Sequence, residues 1–166
     1  MKLNKISTWE NFETIDSKIS NHNIRSWLLE NGPITKRIKQ NGVFRLHLIQ
    51  DEFSTINQSD KDFIQCTSNK IKLREVLLYC DDSPIVFAQT IIPAETISKG
   101  LKQLGNLGSR PLGDILFKES VFTKDIVLYA LFEKNSSLYW GRKAKYMVNG
   151  YKFSVMEVFL IDVKDE

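Results

Sequence analysis

Two charged residues stand inside apolar runs, and their types suggest chemistry. Arg74 lies in "IKLREVLLYC" (71–80) and Glu157 lies in "FSVMEVFLI" (153–161). Both runs have the composition of β-strands, in which alternate side chains go to opposite faces. Arg74 then shares a face with Val76, Leu78 and Cys80, while Glu157 shares one with Phe153, Val155, Phe159 and Ile161. A guanidinium keeps its charge when buried and needs an anion. A carboxylate in apolar company is paired, protonated or at the mouth of a pocket, where it can bind a hydroxyl or move a proton. Two arrangements fit: a buried Arg74–Glu157 ion pair, or a cavity whose two ends grip one polar ligand. Glu75, next to Arg74, is a rival partner for it.

Other chemistry finds less support. His22 and His47 have no carboxylate or cysteine at ligand spacing, so no metal site is expected. Cys66 and Cys80 are the only cysteines and are read as free thiols of a cytoplasmic protein. No nucleophile elbow, phosphate loop or dinucleotide glycine pattern occurs, and no cofactor is expected. Gly105, Gly108 and Gly113 surround Pro111 in a stretch that reads either as a plain turn or as a loop whose N–H groups approach an anion. The densest basic cluster, "TKRIK" (35–39), has no aromatic or zinc-finger companion, so it reads as a solvated helix face and no nucleic-acid partner is expected.

The elements that must position these residues emerge from periodicity and turn signals. "NIRSWLLENGPITKRIKQ" (23–40) predicts two short helices broken at Asn31, Gly32 and Pro33. "VFRLHLIQ" (43–50) alternates as a strand, and residues 51–69 read as polar and irregular. Residues 71–80 and 85–93 form a hairpin around "DDSP" (81–84); 94–105 reads as a helix, and 106–117 as a loop leading into a short helix. A strand over 124–132 comes next, then strands over 138–148 and 151–162 flanking Asn149 and Gly150, the strongest short hairpin signal. The fold class is therefore α+β, with a largely antiparallel sheet of about six strands.

With 166 residues, 42% of them hydrophobic, the chain suits one domain over 1–166. The net charge of +3 is compatible with a small anionic substrate. No run reaches the ~18–20 apolar residues of a membrane span, and the polar N-terminus lacks the apolar region of a signal peptide.

Four blocks, taken together, resemble the chorismate lyase family: "WLLENGPITKRIKQ" (27–40), "LREVLLYCDDSPIVFAQTIIP" (73–93), "LGSRPLGDILF" (107–117) and "WGRKAKYMVNGYKFSVMEVFL" (140–160). The resemblance runs in order over most of the chain. It implies helical flaps over an internal ligand pocket. It also implies elimination of pyruvate from chorismate to give 4-hydroxybenzoate, the aromatic precursor of ubiquinone. A cytoplasmic monomer is expected. By the same resemblance, Arg74 holds the ring carboxylate, Glu157 is the catalytic glutamate near the ring hydroxyl, and the Leu112 backbone N–H helps hold the carboxylate. A ligand contact also falls on Ile34, where relatives carry methionine. The alternative is a non-catalytic effector-binding domain of the same fold. Those domains are normally fused to a helix-turn-helix domain, and the short stretch before the first block leaves no room for one.

Overall fold

The computed structural model describes residues 1–117 and 120–165. Within these residues, seven antiparallel strands form one sheet: β1 (Asn4–Lys5), β2 (Phe44–Ser54), β3 (Ile71–Cys80), β4 (Ser83–Pro93), β5 (Phe122–Lys134), β6 (Ser137–Val148) and β7 (Tyr151–Phe159). Their order across the sheet is β1-β5-β6-β7-β4-β3-β2. Two meanders, β2-β3-β4 and β5-β6-β7, are thus joined by the pairing of β4 with β7. Two-residue turns connect the strands within each late hairpin. Asn149 and Gly150 both have positive φ, 50° and 84°, which matches the right-handed twist of β6 and β7.

Among the described residues, five short α-helices accompany the sheet: α1 (Phe12–Ile15), α2 (His22–Leu28), α3 (Ile34–Asn41), α4 (Gln58–Phe63) and α5 (Gly113–Leu116). The Asn21 side chain caps α2 by accepting from the N–H groups of Asn23 and Ile24. Pro33 stands immediately before α3, so the break between the two helices falls where Gly32 and Pro33 predict it. Trp27, Leu28, Ile34 and Ile38 of this helical pair bury against Val76, Leu78, Val86 and Phe159 on the inner face of the sheet. Nearby, the 94–117 segment covers the same face with Leu104, Leu107 and Leu112, packed on Ile92, Val148 and Phe153. On the outer face, Phe87, Ala130, Phe132 and Val158 are covered by Trp9 and Leu3 of the N-terminal segment. Covering both faces explains why β3 and β7 read as nearly continuous apolar runs.

Three expectations shift. A seventh strand, the two-residue β1, adds to the six because Asn4 and Lys5 pair with Phe132 and Glu133 without any apolar pattern of their own. Residues 51–69 are more ordered than their polarity suggests: β2 runs to Ser54, and α4 is capped by Asn57, whose side chain accepts from the Asp60 N–H at 2.8 Å. The helix expected over 94–105 is instead a π-turn (Thr96–Gly100) and a 3-10 turn (Lys102–Gly105), separated by Leu101 in extended conformation. Two glycines weaken helix propagation there. At Gly105 a β-carbon would come within 2.8 Å of Ile97, so the tight fold of this segment depends on its absence.

Candidate active site

Strand pairing puts the site on the inner face. Arg74 lies directly opposite Thr90 on β4, which lies opposite Val155 on β7. One pair along, Val76 faces Ala88, Ala88 faces Glu157, and Glu157 faces Arg142 on β6. Arg74 and Glu157 therefore point to the same side of the sheet, separated by the β4 strand and its small side chains.

Arg74 is 2% exposed. Its Nη2 donates to the carbonyls of Gly108 (3.2 Å) and Arg110 (2.8 Å), which ties β3 to the loop before α5. Its Nε is buried and has no acceptor among the described residues. Burial pushes the guanidinium pKa down, and Asp51, its cross-strand neighbour on β2, partly restores it. Asp51 is itself engaged, with the Lys72 ammonium 3.2 Å away. Asp51 reaches the inner face because β2 bulges between Leu48 and Gln50 and reverses the alternation there. Arg74 is thus a desolvated cation without a paired carboxylate among the described residues, an unfavourable state that an incoming anion relieves.

Glu157 is held differently. The Arg142 Nε donates to its Oε1 at 2.9 Å. Arg142 Nη1 reaches the end of α2 and its exit, donating to the carbonyls of Leu28 (3.0 Å) and Glu30 (2.7 Å). These carbonyls lie at and just beyond the last turn of α2, where acceptors lack helical partners. One arginine therefore orients the carboxylate and fastens the helical pair to the sheet. Beside it, Tyr146 stacks on Phe153 with ring centres 5.5 Å apart. Burial, with a contribution from the Glu157 charge, pushes the Tyr146 phenol pKa up to about 12. It stays a neutral hydroxyl at any physiological pH.

A cavity of about 70 Å³ lies between these poles, lined by Arg74 and Thr90 at one end and by Arg142, Tyr146 and Glu157 at the other. Val76, Ala88 and Val155 form its floor, while Ile34, Thr35 and Leu112 belong to the elements that roof it. A second cavity of about 320 Å³ opens off the Glu157 end, bounded by Leu28, Val127, Tyr129 and Lys124. Apolar walls with a few convergent polar groups are the usual build of a small-molecule site.

All four residues singled out in the sequence line the first cavity: Arg74, Glu157, Ile34 and Leu112. Ile34 opens α3 and is 6% exposed; Leu112 immediately precedes α5 and is 7% exposed. The buried Arg74–Glu157 ion pair does not form, since Glu157 pairs with Arg142. The Glu75 alternative falls as well. That carboxylate points to the outer face and accepts from Gln89 at 2.9 Å and from Gln50. The sequence reading missed Arg142, Tyr146 and Lys124, which crowd the Glu157 pole. No cluster of three or more metal-binding side chains exists among the described residues.

The fold and cavity define an α+β protein with an internal small-molecule pocket roofed by helices. The chain belongs to the chorismate lyase family, whose model matches residues 3–164. It is 30% identical over 150 residues to a probable chorismate pyruvate-lyase of Pseudoalteromonas translucida, a match covering 82% of this chain and 83% of that one. A chorismate pyruvate-lyase of Pectobacterium atrosepticum is 30% identical over 139 residues, covering 82% and 76%. Among solved structures, gene product SA0254 of Staphylococcus aureus superposes with a TM-score of 0.54 at 14% identity, covering 78% of this chain and 89% of that one. That likeness concerns the fold alone.

Proposed function

We propose that the chain eliminates pyruvate from chorismate and releases 4-hydroxybenzoate, the aromatic precursor of ubiquinone. The observation that carries this reading is the cavity with an unpaired, buried Arg74 at one end and an oriented Glu157 at the other. The family membership and the names of the relatives support it.

In this reading Arg74 takes the ring carboxylate, assisted by the Leu112 N–H, which as the residue entering α5 has no intrahelical acceptor. Glu157 accepts a hydrogen bond from the ring hydroxyl, and Ile34 seals the ring from above. The chemistry balances without an oxidant. The C4 hydrogen leaves as a proton, its electron pair becomes the third ring double bond, and the C3–O pair departs with enolpyruvate. A proton on the methylene carbon then gives pyruvate. Aromatisation supplies the driving force, so the protein has to orient the ether and stabilise charge on the departing oxygen. Glu157 is placed to govern proton movement at C4 and its hydroxyl.

We take the chain to act as a monomer built as a single domain. No helix among the described residues is long and apolar enough to cross a membrane, and we take the cytoplasm as the site of action. Incubating purified protein with chorismate tests the reading. One equivalent each of 4-hydroxybenzoate and pyruvate is expected; unchanged chorismate would overturn it.

A further inference from the structure

The proposed substrate carries two carboxylates, and Arg74 accounts for only one. The second sits on the enolpyruvyl group, attached through the ether oxygen at the ring carbon next to the hydroxyl. If the hydroxyl is at Glu157, the ether substituent leaves the ring at that end of the first cavity. The larger cavity of about 320 Å³ opens there and shares Glu157, Arg142, Tyr146 and Val155 with the first. Its lining includes two cations, Arg142 and Lys124.

They are differently placed. Arg142 spends its Nε on Glu157 and its Nη1 on backbone carbonyls. Lys124 lies opposite Tyr146 on β5, just before the irregularity that shifts the β5–β6 register between Lys124 and Val127. It lines both cavities. Among the described residues it has no ion-pair partner, whereas the neighbouring Lys143 and Lys145 on β6 pair with Asp60 and Asp125.

We infer that Lys124, standing where the two cavities meet, is the seat of the second carboxylate and so distinguishes the dicarboxylate substrate from the monocarboxylate product. This rests on the lyase reading. The seat adds attraction for chorismate alone. Once the C–O bond breaks, pyruvate keeps its hold on Lys124 while the aromatic acid keeps its hold on Arg74, so the two products part along different contacts. The environment agrees with an anion-seeking role: burial and the nearby Arg142 charge depress the Lys124 ammonium pKa, and Glu157 only partly offsets them. An anion there would raise that pKa again.

The test compares two acids by calorimetry: 4-hydroxybenzoate, and 3-(carboxymethoxy)-4-hydroxybenzoate, a stable aromatic acid with a second carboxylate on an ether beside the hydroxyl. Lys124→Gln is expected to weaken the dicarboxylate by about tenfold and 4-hydroxybenzoate by less than about twofold, since one charged hydrogen bond is lost from one ligand only. Lys124→Arg should restore most of the dicarboxylate affinity. In turnover, Lys124→Gln should raise KM for chorismate while kcat changes little. Lys124 is only partly buried, with its residue open to solvent on the β5 surface, so the variant should fold, which melting temperature checks. Equal losses for both acids, or none for the dicarboxylate, would overturn the Lys124 seat and leave the Arg74–Glu157 pocket standing. If wild-type protein binds neither acid, the lyase pocket falls and the seat falls with it.

Discussion

Arg74 and Glu157 share the inner face of the sheet on either side of β4, yet they do not pair; Arg142 takes Glu157, and Arg74 donates to two loop carbonyls. The carboxylate is held in place before any ligand arrives, while the guanidinium still has unused donors. A ligand with an acid at one end and a hydroxyl at the other satisfies both residues without displacing an existing ion pair.

Glu157→Gln should therefore keep the fold and lose most of the rate. The amide can still accept from Arg142, so the helical pair stays fastened. It cannot take a proton, and loss of a positioned acid–base group typically costs about 10²–10⁴-fold. Steady-state turnover of chorismate beside a thermal melt checks both halves. Near wild-type kcat would reduce Glu157 to a binding residue.

Arg142→Ala should damage stability as well as activity. It strips Glu157 of its partner and leaves the carbonyls of Leu28 and Glu30 without their donor. Breaking a largely buried pair from one side costs about 3–5 kcal/mol, and partial exposure of this pair places the loss at the lower end. Urea denaturation gives the number. A loss under about 0.5 kcal/mol would mean that the pair is only a surface contact.

Arg74 is expected to behave in the opposite way. Arg74→Met removes a buried charge that has no paired carboxylate, at the expense of two hydrogen bonds to Gly108 and Arg110. Stability should stay within about 1 kcal/mol of wild type, because an apolar side chain of similar volume is commonly neutral at such sites. Binding of 4-hydroxybenzoate should fall by about 2–5 kcal/mol. Melting temperatures with and without the acid separate the two effects. A strongly destabilised Arg74→Met would instead make Arg74 a structural tie between β3 and the 106–112 loop.

How much of this arrangement is legible in the sequence depends on which rule governs each piece. The strands carrying Arg74 and Glu157 are readable because a charge inside a two-sided apolar run is costly and stands out. The helix break at Gly32 and Pro33 is readable for a similarly local reason. Arg142 escapes notice although the information is present. With the two-residue turn at Asn149 and Gly150, Val148 faces Tyr151, and six residues outward on each strand Arg142 faces Glu157. Hairpin register alone therefore predicts that pair. Asp51 is not readable: it reaches the inner face through a bulge in β2, and no glycine or proline marks that bulge. Lys124 lies beside another register irregularity, and β1 has no pattern to read.

Tyr146 gives the pH prediction. Its folded-state pKa is raised to about 12, so between pH 10 and that value the folded chain keeps a proton that the unfolded chain releases. The associated stability is fully present below about pH 10 and drains away as pH rises toward 12, by about 2–3 kcal/mol in all. Tyr146→Phe should flatten this part of the alkaline stability curve relative to wild type. Parallel slopes for the two proteins between about pH 9.5 and 11.5 would show that the phenol is solvated.

The most direct test of the two-pole pocket is a crystal structure of the protein with bound 4-hydroxybenzoate. The account predicts one molecule in the cavity between β4 and the α2–α3 pair. Its carboxylate should lie within hydrogen-bonding distance of the Arg74 guanidinium and the Leu112 N–H, and its hydroxyl should lie against Glu157, with the Glu157–Arg142 pair intact. A ligand bound in the reverse orientation, or one seated away from Arg74, would contradict it.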